Sequence, residues 1–86
     1  MPIGYQLEYR NVAHSKTEIY QFCRKFPMIG SVTSNKDGNT LIEIFGDEDI
    51  VKFCVIKITD FLKNDLLINC MEISELTYEC HSFLVG

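Results

Sequence analysis

Residues 29–49 read IGSVTSNKDGNTLIEIFGDED, and this stretch decides the fold. Ile29–Ser34 and Thr40–Phe45 are β-branched or apolar runs on either side of Asn35-Lys36-Asp37-Gly38-Asn39. The Asp37-Gly38 pair is a hairpin signal, because glycine takes a positive φ at no steric cost. Gly46 closes the second run. Asp47-Glu48-Asp49 then supplies an N-cap and two more carboxylates where a helix dipole favours negative charge. The stretch reads as strand, turn, strand and helix start.

Downstream, residues 48–63 are apolar around much of a helical circumference: Ile50, Val51, Phe53, Cys54, Val55, Ile58, Phe61 and Leu62. That suits a helix lying on a sheet, and it leaves Phe53 or Ile56 free to meet another subunit. After the polar break at Asn64-Asp65, Leu67–Leu76 returns to a strand pattern with Met71 and Ile73 on one face. The apolar end Ser82–Val85 reads as a short edge strand.

Upstream, Tyr5–Arg10 alternates apolar and polar residues with the period of a half-buried strand. Ser15-Lys16-Thr17-Glu18 reads as a capping box, in which the serine accepts from the third helical amide and the glutamate reaches back. Ile19, Phe22, Cys23 and Phe26 then share one helix face, and Pro27 stops the helix. The order strand, helix, strand, strand, helix, strand predicts a ferredoxin-like βαββαβ sandwich. This is an α+β fold with an antiparallel sheet, two helices on one face and a short C-terminal edge strand.

Eighty-six residues, 47% hydrophobic and 23% charged, make one globular domain spanning residues 1–86. No apolar run approaches the roughly 18–20 residues of a membrane span, and MPIGYQLEYR shows no signal-peptide pattern, so a cytoplasmic protein without membrane contact is expected. Eight basic against twelve acidic residues give a net charge of −4, which opposes nucleic-acid binding by phosphate neutralisation. Arg24 with Lys25, or Lys52 with Lys57, could form a local patch, but such charges usually form a solvated helix face. The cysteines Cys23, Cys54, Cys70 and Cys80 form no CxxC pair, so reduced, mostly structural thiols are expected. Cys80-His81 supplies at most half a metal site, and neither a metal nor any cofactor is expected.

Cys23-Arg24-Lys25-Phe26-Pro27-Met28-Ile29-Gly30, Gly38 at the turn, Gly46 before acidic residues, and Met71-Glu72-Ile73-Ser74-Glu75-Leu76 with Phe83 near the end share one register. In this register the chain resembles the acylphosphatases over almost its whole length. The first segment is similar to the family's Ala-Arg-Lys-aliphatic-Gly-aliphatic-aliphatic-Gly, and the others to its Gly-x-Glu-Glu helix start, Val-Glu-x-Glu strand and closing Phe-x-Ile. The resemblance implies a ferredoxin-like fold and metal-free hydrolysis of carboxyl-phosphate anhydrides. In the family a loop of the form Gly-x-Val-Gln-Gly-Val-x-Phe-Arg wraps the phosphate in backbone amides. Its arginine grips the anion, and an asparagine in Gly-x-Val-x-Asn holds the attacking water.

Here the loop is Arg10-Asn11-Val12-Ala13-His14-Ser15-Lys16, without glycine. Lys16 stands at the arginine position and Ser34, in Gly30-Ser31-Val32-Thr33-Ser34, at the asparagine position. A lysine is a point charge without arginine's two-pronged grip. Asn35 follows Ser34, but alternation aims it at the other face. The resemblance therefore implies two readings. In the first, the domain lacks efficient catalysis and binds a protein partner, a second copy of itself or a small anion. A similar domain occurs at the N-terminus of the carbamoyltransferase that matures nickel-iron hydrogenases. In the second, it is a weak acylphosphatase acting on acyl phosphates, with Lys16 and Ser34 as catalytic candidates. Anion-binding candidates are Arg10, Val12, Ala13, His14, Ser15, Lys16 and Asn35. A lone His14 in a polar loop is expected to face solvent, Ser15 is best explained by capping although a cap serine also suits an anion site, and Arg10 equally suits pairing with a carboxylate.

Overall fold

A computed structural model of the chain describes residues 2–10, 14–62, 66–74 and 83–85. The elements in chain order are β1 (Pro2–Arg10), α1 (Lys16–Cys23), β2 (Ile29–Ser34), β3 (Thr40–Asp47), α2 (Glu48–Phe61), β4 (Leu66–Ile73) and β5 (Phe83–Val85). They form one sheet in the order β4-β1-β3-β2-β5. β1 pairs antiparallel with both β3 and β4, β2 pairs antiparallel with β3, and β5 runs parallel to β2. This is the expected ferredoxin-like sandwich with its short closing strand.

Strand alternation sorts the side chains. Leu7 on β1 lies across from Ile42 on β3, which lies across from Val32 on β2, and all three are fully buried. Above this row α2 covers β1 and β3 through Val51, Cys54 and Ile58, while α1 covers β2 and β5 through Ile19 and Cys23. The opposite face carries Gln6, Glu8 and Glu43, and Gln6 Nε2 donates to Glu43 Oε2 at 2.7 Å. Burial pushes the Cys23 thiol up to about 12 and the Cys54 thiol up to about 11, so both sit in the core as neutral small hydrophobes.

Several boundaries differ from the sequence reading. α1 ends at Cys23, not against Pro27; the Phe26 amide donates to the Cys23 carbonyl at 3.1 Å in a separate turn, leaving Phe26 partly buried beyond the helix. β3 continues through Gly46 to Asp47, because β1 extends back to Pro2 and pairs with it. Asp47 is the N-cap residue of α2, yet its side chain makes no capping hydrogen bond. At the hairpin, Gly38 has φ +81°, as the Asp37-Gly38 signal requires. The strand expected over 67–76 begins at Leu66 and reaches Ile73, and the expected tail positions 75 and 76 lie outside the described residues.

Candidate functional site

Because β1 and β2 both run antiparallel to β3, they are parallel to each other, and their C-terminal ends lie at one end of the sheet. α1 starts from that same end, following β1. Topology thus brings Arg10, Ser34 and the α1 N-terminus to one end of the fold. Ser34 shares the helix-side face with buried Val32 and is itself exposed. Lys16, half-buried, is the first residue of α1 on that same side. Arg10 is exposed, and alternation from buried Tyr9 puts it on the helix-free face. Val12 and Ala13 lie outside the described residues.

Ser15 caps α1 as its sequence predicts. Its Oγ accepts from the Glu18 amide at 3.1 Å, and its own amide donates to Glu18 Oε1 at 3.0 Å. The Ile19 amide donates to the Ser15 carbonyl at 3.1 Å. By helix geometry the Lys16 and Thr17 amides have no intrahelical acceptor, so they form the positive end of the helix beside the Lys16 ammonium. This is the elementary apparatus of an oxyanion site at a helix start. It also contains a counter-charge. Hydrogen bonds from the Ser15 amide and hydroxyl region hold the Glu18 carboxyl below its usual range, so Glu18 stays ionised at neutral pH.

The capping box gives a pH prediction. Glu18 has a depressed pKa in the fold, so its stabilising contribution is present above the unfolded carboxyl value and is lost as pH falls through the folded one. Ser15→Ala is expected to cost about 1 kcal/mol, lowering Tm by roughly 4–8 °C. Glu18→Gln is expected to lower Tm at pH 7 and to converge with the unsubstituted protein in acid. Thermal melts from pH 7 to pH 3 check both; a constant Tm gap across that range contradicts the assignment.

His14 is not a solvent-facing loop residue. Its ring lies 4.5 Å from Phe61, tilted by 35°, and its Nδ1 is buried. Phe61 stacks on Phe22 at 4.4 Å and 13°, and Phe22 meets Phe26 edge-on at 5.7 Å. Phe26 in turn meets Phe53 at 6.1 Å. This aromatic column ties His14, just ahead of the Ser15 cap, to Phe61 at the end of α2. The sequence holds the rings within apolar helical spacings, but their meeting across two helices is a tertiary fact. A groove of about 450 Å³ opens beside the column, lined by Glu18, Gln21, Phe22, Arg24, Lys25 and Phe61. Lys25 Nζ sits 5.9 Å from the Phe22 ring centre and Arg24 Cζ 5.8 Å from that of Tyr20.

Asn35 is committed to the hairpin. Its Oδ1 accepts from the Asp37 and Asn39 amides, both at 3.0 Å, and its Nδ2 donates to Glu8 Oε2 at 2.7 Å. Asn39 Nδ2 donates to the same oxygen at 2.8 Å. Glu8 belongs to the helix-free face, so Asn35 is directed away from Lys16 and Ser34. Among the described residues no group of three His, Cys, Asp or Glu is placed to hold a metal; the Cys80-His81 pair lies outside the described residues. No helix among the described residues is long and apolar enough to cross a membrane.

No protein-family model matches the sequence, and no curated protein matches it. Solved structures match its fold. The chain is similar to an acylphosphatase from Coxiella burnetii, with TM-score 0.65 and 11% identity over 99% of this chain and 93% of that one. It is similar to an acylphosphatase from Bacillus subtilis, with TM-score 0.64 and 16% identity over 98% of both chains. It is also similar to full-length HypF in its phosphate- and nucleotide-bound form, with TM-score 0.70 and 13% identity. That match covers the whole of this chain but 12% of HypF. The architecture is therefore acylphosphatase-like.

Proposed function

We propose that this domain is an acylphosphatase-like module that binds a small oxyanion or an anionic partner group at the start of α1 without efficient hydrolysis. The observation that carries the proposal is the Ser15–Lys16 helix start, which couples two amides lacking intrahelical acceptors to an ammonium in an acylphosphatase-like fold. Lys16 attracts the anion, the Lys16 and Thr17 amides orient it, and Glu18 limits affinity by its fixed negative charge.

Two substitutions support the absence of efficient catalysis. Lys16 offers no planar fork to spread over a transferring phosphoryl group. Ser34 ends β2 with a short hydroxyl where the resembling enzymes carry an asparagine amide. Losing one well-placed donor of this kind costs on the order of 100-fold or more in rate. Asn35 cannot substitute, since its amide donates to Glu8. The match to one part of HypF favours a module working inside a larger assembly. The matches to two chains of nearly the same extent favour the alternative, a weak stand-alone acylphosphatase.

Benzoyl phosphate hydrolysis distinguishes the two. The proposal expects a rate within a few-fold of the buffer background, unchanged by Lys16→Ala. Saturable turnover that drops by roughly 100-fold in Lys16→Ala or Ser34→Ala establishes the enzyme instead.

A further inference from the structure

We propose that β4 is a self-pairing edge, joining two copies of this domain antiparallel about a two-fold axis close to Met71. The proposal is independent of the anion site. It also uses a different surface from the α2 residues Phe53 and Ile56.

Among the described residues the sheet has two edges, and they are unequal. β5 is three residues long, which by itself blunts it as a template. β4 is eight residues long, LLINCMEI, with no proline, lysine or arginine and Glu72 as its one charge. Leu67, Ile68 and Met71 are 38%, 38% and 45% exposed, so large apolar side chains flank a strand whose one neighbour among the described residues is β1.

The register selects a second copy as the occupant. Against β1 the strand is regular from Asn69 to Ile73, and the shift between Glu8 and Tyr9 leaves Ile68 as an extra residue. A two-fold perpendicular to the sheet keeps each face on its own side, so it pairs residues of like parity. Centred on the middle of the regular segment, it sets Met71 against Met71, Asn69 against Ile73, and Cys70 against Glu72 of the second copy. Glu72 never meets itself, which removes the like-charge penalty that self-pairing of a charged edge carries. Closure follows as well: once β4 is paired, the three-residue β5 is the one edge left among the described residues, so growth stops at two copies.

Light scattering coupled to size-exclusion chromatography, at concentrations on the order of 100 µM, is expected to show a dimer. Met71→Lys sets two ammonium groups opposite each other, and it is expected to raise the dimer dissociation constant roughly ten-fold or more with an unchanged far-UV circular dichroism spectrum. A short bismaleimide is expected to link the chains through exposed Cys70, with Cys70→Ser abolishing the product. A monomer at that concentration overturns the proposal. So does open-ended aggregation, or a dimer that survives both Met71→Lys and Ile68→Lys. A dimer dissolved by Phe53→Ser with Ile56→Ser but not by Met71→Lys assigns the interface to α2 and likewise overturns it.

Discussion

Gly30→Ala is expected to destabilise the domain by on the order of 3 kcal/mol, with Tm falling by roughly 10–25 °C. Gly30 opens the buried stretch of β2 and lies across from Ile44 on β3. A Cβ there would stand 2.9 Å from the Glu43 carbonyl carbon and 3.0 Å from Ile44 Cα, and closer still to the Glu43 carbonyl oxygen. These are backbone atoms of the central strand, so no side chain can rotate aside. The strands must separate, and the hydrogen bonds of the β2–β3 ladder lengthen with them. Urea unfolding of the purified variant checks the magnitude; a loss below about 1 kcal/mol contradicts the close strand packing.

Ile42→Ala is expected to cost about 4 kcal/mol, and Ile42→Val about 1 kcal/mol. Ile42 is fully buried on the middle strand, between Leu7 on β1 and Val32 on β2. Removing its branched chain leaves a cavity between rigid strands that cannot collapse without breaking the ladder on both sides. For a domain of this size the larger loss is a sizeable share of total stability, since small domains have only about 5–15 kcal/mol to lose. The graded pair separates burial from strand propensity: valine keeps the β-branch, alanine removes it. Equal losses for the two substitutions contradict the placement of Ile42 at the core centre.

The architecture was legible in the sequence because its signals were local and mutually consistent. The alternation in Tyr5–Arg10, the Ser15–Glu18 capping box and the Asp37-Gly38 turn each fix one element, and together they leave one layered arrangement. Boundaries were less legible. Nothing in the spacing of Ile19, Phe22, Cys23 and Phe26 distinguishes a fourth helical contact from a turn residue, and the fold ends α1 at Cys23. Gly46 marked a strand end by composition, but pairing with β1 overrode it.

The site divides in the same way. Ser15 and Lys16 sit at the helix start because the capping box is a local device. The direction of Asn35 followed from alternation and its bonds to the Asp37 and Asn39 amides from the local turn, whereas its bond to Glu8 depends on β1 lying beside β3, which only topology supplies. His14 carries no local mark of its environment. Its burial follows from Phe61, distant in sequence, and from the stacking of Phe61 on Phe22.

Titrating inorganic phosphate into isotope-labelled protein and following backbone amide resonances tests the helix-start anion site most directly. Saturable shifts centred on Ser15, Lys16 and Thr17 are expected, weakening at least several-fold in Lys16→Ala. Shifts confined to Arg24 and Lys25 beside the aromatic groove, or none at all up to concentrations on the order of 10 mM, contradict it.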